Sequence, residues 1–252
     1  MVKIGIIGGS GLEDPQLLKK AEELNTETPF GHTTSTLLIG KIKDVDVVII
    51  SRHGKNHQYN PTEVNYRANI HAMKQSGVTH IIGTTACGSL RQEIGRGDFV
   101  IPDQFIDFTR HRISTFFDTF KNGMHHQEMA EPFDRGLRKA LFETSTGLGF
   151  KTHEHGTVIT IEGPRFSTKA ESKMFRMWEG HVINMSTATE VSLANEVDIP
   201  YAAVAMSTDY DCWKEDEDPV TWEEVLKIFD KNAAKVKQLI VDSVEKINAN
   251  FQ

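Results

Sequence analysis

Short apolar runs of four to six residues, rich in valine and isoleucine, recur along the chain between longer stretches whose apolar positions repeat with helical spacing. That alternation predicts an α/β fold with a largely buried sheet, because strands covered on both faces read as continuous apolar runs. The runs place strands near 3–7, 36–40, 46–51, 79–84, 98–102, 157–161, 181–185 and 201–207. Val64, Ala68 and Ala72 repeat at i, i+4 and i+8 behind Thr62, with Gly77 as the stop, which predicts a helix. Asp134 caps a second helix running to about Leu148. Thr221 and Glu224 form a capping box that opens a long terminal helix through Val225, Ile228, Phe229, Val236, Leu239 and Ile240. Only 103–133 reads as a long irregular segment, and such segments are usually functional or lie at interfaces. With no internal repeat or linker, the 252 residues read as one domain, 1–252.

Composition narrows the partners. Lys and Arg number 28 against 35 Asp and Glu, a net charge of −7 with histidine neutral. No basic block offers itself to a phosphate backbone, which argues against a nucleic-acid polymer. The apolar runs fall far short of the ~20 residues that span a bilayer. The opening strand is too short for a targeting segment. Two cysteines, Cys87 and Cys212, make no disulfide framework, although one bridge between them stays open, and a reducing cytoplasm is the expected location.

Four strand ends carry chemistry. Gly8-Gly9-Ser10-Gly11 follows the first strand and can turn backbone N–H groups toward an anion; the same residues also suit a tight turn with no ligand. Asp14 stands where a dinucleotide fingerprint needs its third glycine, and no Gly-Lys-Ser/Thr follows, so NAD and ATP are both disfavoured. Ser51-Arg52-His53-Gly54, with His57 beyond, offers a planar fork and a second donor for phosphate oxygens, or else a solvated loop. Gly54 occupies the place where a zinc protease motif needs Glu, which disfavours zinc. Thr84-Thr85-Ala86-Cys87-Gly88-Ser89 is a second anion-facing turn in which Cys87 reads as a small buried filler. In Met206-Ser207-Thr208-Asp209-Tyr210-Asp211 a buried strand delivers two carboxylates whose mutual repulsion raises the pKa of one, leaving a proton for donation, or else the pair opens an exposed acidic turn, since Glu215, Asp216, Glu217 and Asp218 follow. His125-His126 and His153-x-His155 read as unliganded, and Trp178, Trp213 and Trp222 as packing residues. No metal and no cofactor is expected.

Taken in order, Ile6-Ile7-Gly8-Gly9-Ser10-Gly11, Thr28-Pro29-Phe30-Gly31, Arg52-His53-Gly54, Val64-Asn65-Tyr66, Thr84 to Ser89, Glu162-Gly163-Pro164-Arg165-Phe166 and Thr208-Asp209-Tyr210-Asp211-Cys212-Trp213 resemble the 5′-methylthioadenosine phosphorylases. That family lies within the trimeric purine nucleoside phosphorylases. The resemblance implies a central mixed sheet flanked by helices and reversible phosphorolysis of 5′-deoxy-5′-methylthioadenosine, with inorganic phosphate as co-substrate. It implies phosphate binding by Ser10, Arg52, His53, Thr85, Ala86 and Ser186, with Met185 by the ribose and Phe166 flanking the base. Asp209 and Asp211 would face the purine, the first donating to N7 and the second accepting from a 6-amino group. Ser167, Trp222, His57 and His126 are implied in substrate specificity, His126 reaching in from a neighbouring subunit of a homotrimer whose 103–133 segment orders on assembly. Trp222 stands where related enzymes often carry a smaller apolar residue, and Ser10 and Ser186 replace threonines. The rival readings are a purine nucleoside phosphorylase for adenosine, inosine or guanosine, a nucleosidase that uses water, a dinucleotide oxidoreductase and a non-catalytic nucleotide-binding protein.

Overall fold

Ile4, Ile6 and Ile7 of β1 (Lys3–Gly8) point to alternate faces of the sheet and all are buried, as are the valines and isoleucines of the neighbouring strand at Val45–Ser51. This computed structural model describes residues 1–8, 18–121, 123–216 and 221–251, for Trp222 the backbone only. After β1 come β2 (Lys19–Leu24), the small hairpin β3 (Glu27–Thr28) and β4 (Gly31–His32), then β5 (Leu37–Ile42) and β6 (Val45–Ser51). The helix α1 (Tyr66–Gln75) leads to β7 (His80–Ser89), β8 (Phe99–Val100) and β9 (Gln104–Phe108). Next are α2 (Arg135–Gly147), β10 (Thr152–His153), β11 (Thr157–Ile161), α3 (Lys169–Met177), β12 (Val182–Asn184), α4 (Thr187–Glu196), β13 (Tyr201–Asp209) and the long α5 (Trp222–Phe251).

Among the described residues a mixed sheet of eleven strands runs β10-β8-β13-β7-β1-β6-β5-β2. Parallel pairing of β1 with β6 and β7, and of β7 with β13, brings their carboxyl ends to one edge. In open α/β sheets that edge is where ligands bind. β7 outruns its neighbours and pairs antiparallel with β12, which continues through β11 to β9 and so builds a second wall beside that edge. Two large apolar clusters sit on the two faces of the sheet, one under α1 and α4, the other under α2 and α5.

Several expectations need correction. The cap of α1 is Asn65, whose side chain accepts from the Ala68 N–H at 3.2 Å, not Thr62, which lies in the preceding turn. The segment 103–133 begins with β9, a ladder to β11 that its mixed polar and aromatic composition concealed. The strand expected at 98–102 shrinks to Phe99–Val100. Asp134 does cap α2, accepting from Leu137 N–H at 2.8 Å, and Thr221 Oγ1 accepts from Glu224 N–H at 3.3 Å. Cys87 and Cys212 are free thiols.

Candidate active site

The parallel strands end around a cavity of about 630 Å³. Arg52, His53 and His57 line it from the turn after β6, and Thr84 to Gly88 line it from β7. Met185 and Ser186 follow β12, Phe166 and Ser167 follow β11, and Asp209 and Asp211 close β13. Ser10 lies outside the described residues, as does the side chain of Trp222.

Arg52 is buried, and its fork is not open to the cavity as the sequence suggested. Nε and Nη2 donate to the buried carboxylate of Glu190, Nη1 donates to the Thr84 carbonyl at 2.9 Å, and Nη2 also reaches the Ile7 carbonyl at 3.4 Å. Of the five N–H donors in a guanidinium, one on Nη1 is left for a ligand. Burial by itself would lower the Arg52 pKa, but the Glu190 carboxylate more than offsets this and holds the guanidinium charged. Tyr201 donates to the same carboxylate at 2.8 Å. Gly83 makes room for this network, since a Cβ there would run into the Tyr201 hydroxyl.

His53 stacks on His57 with ring centroids 4.6 Å apart. Burial first, and the neighbouring Arg52 charge second, lower the His53 pKa to about 4 and push that of His57 down as well. Beside them Ser186 occupies the N-cap position of α4 without spending its hydroxyl on the cap, so a helix N-terminus and a free hydroxyl meet at the cavity. Asn184 ties this end to β7, its Nδ2 lying 3.4 Å from Thr85 Oγ1.

On the opposite side, β13 carries a bulge: Ser207 pairs with Cys87 and Asp209 with Gly88, leaving Thr208 as the extra residue. Bulges re-aim side chains beside active sites, and this one delivers Asp209 to the cavity. Thr208 Oγ1 donates to Asp209 Oδ2 and the Asp211 N–H to Oδ1, both at 2.7 Å. Those bonds favour the charged form, yet burial outweighs them and raises the Asp209 pKa to about 6. Repulsion from Asp211, which the sequence reading made the cause, is a lesser contribution than burial. Burial raises Asp211 too, against the nearby Ser172 and Ser167 hydroxyls. Cys87 is a buried thiol whose pKa burial raises, so it packs and does not react.

The Met185 side of the cavity is organised by residues that the sequence left without roles. Arg112, 1% exposed along its side chain, donates from Nη1 to the Met185 carbonyl at 2.9 Å and from Nε to Glu162 Oε1 at 2.9 Å. Glu162 also accepts from the N–H groups of Arg110 and His111 at 2.6 and 2.9 Å. Burial opposes its charge, but these bonds and one from Thr62 hold its pKa down to about 2. His126 does not line the cavity of its own chain, and its ring lies 5.4 Å from that of Phe120. Among the described residues no three His, Cys, Asp or Glu side chains gather as a metal site requires; His153 instead pairs with Asp98 at 2.9 Å.

The model of the phosphorylase superfamily matches residues 3–245. The chain belongs to this family. Within it, the S-methyl-5′-thioadenosine phosphorylase of Danio rerio is 52% identical over 249 residues, 98% of this chain and 89% of that one. The enzyme of the same name from Xenopus tropicalis is 53% identical over 252 residues, 98% and 90% of the two chains. Among solved structures, methylthioadenosine phosphorylase from Schistosoma mansoni in complex with adenine gives a TM-score of 0.93 at 40% identity, covering 99% of this chain and 93% of that one. A point mutant of the adenosine/methylthioadenosine phosphorylase from that organism, in complex with methylthioadenosine, gives 0.92 at 39% identity, covering 99% and 92%.

The cavity gathers every site residue named from sequence whose side chain is described, except His126. Sequence reasoning missed Glu190, Tyr201, Asn184, Arg112 and the α5 residues Val225, Leu226 and Phe229, which line the cavity with apolar surface. A helical stripe beginning at Val225 was visible, but nothing in it said that its first turn meets the site. Glu190 had a signal, a carboxylate among the small and apolar residues of 187–194, since a charge so placed needs a buried partner.

Proposed function

We propose that the chain catalyses reversible phosphorolysis of 5′-deoxy-5′-methylthioadenosine to adenine and 5-methylthioribose 1-phosphate, as a pentosyltransferase. The observation that carries this reading is the buried Asp209, its pKa raised to about 6, facing across one cavity the hydroxyl, amide and helix-terminus donors suited to an anion. A phosphate oxygen attacks C1′ while the C1′–N9 bond breaks, its electron pair passing to the purine and the Asp209 proton to N7. Positive charge builds on the sugar in an oxocarbenium-like transition state, with the anion beneath it. Asp211 accepts from the 6-amino group, and a 6-oxo purine would set acceptor against acceptor. Phosphate contacts come from His53, Thr85, Ala86, Ser186 and Ser10, with Arg52 giving one N–H. Met185 flanks the ribose, Phe166 the base, and Ser167, His57 and Trp222 bear on specificity. The reading calls on no metal or organic cofactor, because phosphate is the nucleophile and Asp209 supplies the proton.

A homotrimer with sites at its interfaces accords with the exposed Ile113, Phe117, Phe120 and Met124 of the segment that carries His126, the residue assigned to a neighbour's pocket. No helix among the described residues is long and apolar enough to cross a membrane. Free thiols at Cys87 and Cys212 accord with a cytoplasmic setting.

Purine release from methylthioadenosine, adenosine and inosine, each with and without inorganic phosphate, tests the reading. The expected result is phosphate-dependent adenine release, fastest from methylthioadenosine. Inosine turnover of equal efficiency, or release without phosphate, overturns it.

A further inference from the structure

The His53 ring lines the cavity, and its Nδ1 lies 2.9 Å from the Tyr59 carbonyl oxygen. A carbonyl can only accept, so Nδ1 carries the hydrogen of this bond. The Tyr59 N–H donates back to the His53 carbonyl at 3.1 Å, which fixes backbone and ring together. A second ring proton is opposed by burial and by Arg52, His57 and Arg112, the charged or titratable groups that act on the ring. Glu190 offers no counterweight, being spent on Arg52. The imidazole is therefore neutral near pH 7, and its Nε2 holds a lone pair.

We infer that His53 accepts a hydrogen bond through Nε2 from a phosphate hydroxyl, so that the site selects an anion bearing a P–O–H proton. This rests on the phosphate-binding reading and reverses the donor role that the sequence suggested for His53. Charge does little to select the anion here: the Arg52–Glu190 pair is neutral as a unit, and His53 adds no charge of its own. What remains is the placement of hydrogens. Sulfate has the shape and charge of hydrogen phosphate but carries no proton near neutral pH, so it brings an acceptor against the Nε2 lone pair.

Calorimetric titration of the free enzyme with inorganic phosphate and with sulfate near neutral pH reads this preference without turnover. Sulfate is expected to bind at least about tenfold more weakly, since facing acceptors leave a buried group unpaired. In His53→Gln the amide can turn to present either N–H or C=O, and the gap should narrow. Equal binding of the two anions by the wild type, or the same ratio in His53→Gln, overturns the role given to His53. Nitrogen NMR of the labelled imidazole supplies an independent readout: Nδ1 protonated, Nε2 bare and shifting on addition of phosphate. An Nε2–H tautomer overturns the inference. Failure of both anions to bind overturns the phosphate reading itself and is told apart from the loss of discrimination alone.

Discussion

The backbone N–H of Asp211 donates to Asp209 Oδ1 at 2.7 Å, so the two aspartates are joined through the main chain and not by facing charges. Replacing the side chain at either position leaves that donor where it is. The roles proposed for Asp209 and Asp211 can therefore be tested separately.

Asp211 sits at φ 52°, in the left-handed region that asparagine tolerates and alanine resists. Asp211→Asn is expected to fold normally and to shift the ratio of inosine to methylthioadenosine kcat/KM upward by about 10- to 100-fold, as a repaired hydrogen bond allows. Asp211→Ala should lose adenine recognition and also stability. An unchanged substrate ratio in Asp211→Asn would remove Asp211 from the base site.

Asp209 donates a proton only in its neutral form, so kcat/KM should fall as pH rises through about 6, the folded-state pKa of its carboxyl. Substrate shuts water out further, and the corresponding limb in kcat should lie at higher pH. Asp209→Asn keeps the shape, cannot give up a proton, and should lower kcat by about 10²- to 10⁴-fold while erasing this limb. Phosphate ionisation shapes both profiles alike, so the difference between wild type and variant isolates Asp209. A limb that survives in the variant excludes Asp209 as its source.

Stability carries the same signature. The Asp209 carboxyl moves from an ordinary 3.8 to about 6 on folding, so its contribution is fully present below the lower value and is lost as pH rises through the higher. Thermal melts should show Asp209→Asn gaining on the wild type between those pH values and holding its advantage above them. A constant difference in Tm across that window contradicts the raised pKa.

Glu190 neutralises a buried guanidinium, and removing one partner of a buried pair costs about 3–5 kcal/mol. Glu190→Gln should melt well below the wild type and raise KM for phosphate more than KM for the nucleoside, because Arg52 loses its anchor. Gly83→Ala should act alike, by pushing the Tyr201 hydroxyl away from the same carboxylate. Equal changes in both KM values would make the network purely structural.

Gly163 has φ 69°, and a Cβ there would collide with the Met185 thioether. Gly163→Ala should cost about 1–2 kcal/mol for the left-handed backbone and raise KM for the nucleoside while sparing that for phosphate. Steady-state kinetics with each substrate varied in turn separate the two.

The parallel core was legible because β1, β6, β7 and β13 are buried on both faces and each carries a short apolar run, from Ile4 to Ile7, Val47 to Ile50, Ile81 to Ile82 and Ala202 to Met206. α4 was not, since a helix buried on nearly every side loses the amphipathic period by which helices are found. α3 left a readable mark, the capping box of Thr168 and Glu171, which apolar spacing alone does not reveal. β2 is exposed along its length, and its Lys and Glu residues suit an edge that must not pair further. In the site, many of the residues that line the cavity stood out at strand ends. Residues that hold them, Glu190 under Arg52 and Arg112 under Met185, did not, because their partners lie 138 and 73 positions away in the chain. The resemblance to known enzymes supplied Met185, Phe166 and Ser186, which local pattern alone would not have singled out.

β13 lies between β7 and β8, both laid down more than a hundred residues earlier, so the last strand among the described residues fills the interior of the sheet and not its edge. A nascent chain that has not reached Tyr201 has no strand to place between them and leaves the ladder edge of β7 unmatched. Pairing across so long a loop is slow to nucleate, and an open apolar edge invites other chains to add to it. The strand that ends the wait also carries Asp209, so a chain too short to close the sheet is also too short to bring this carboxyl to the cavity.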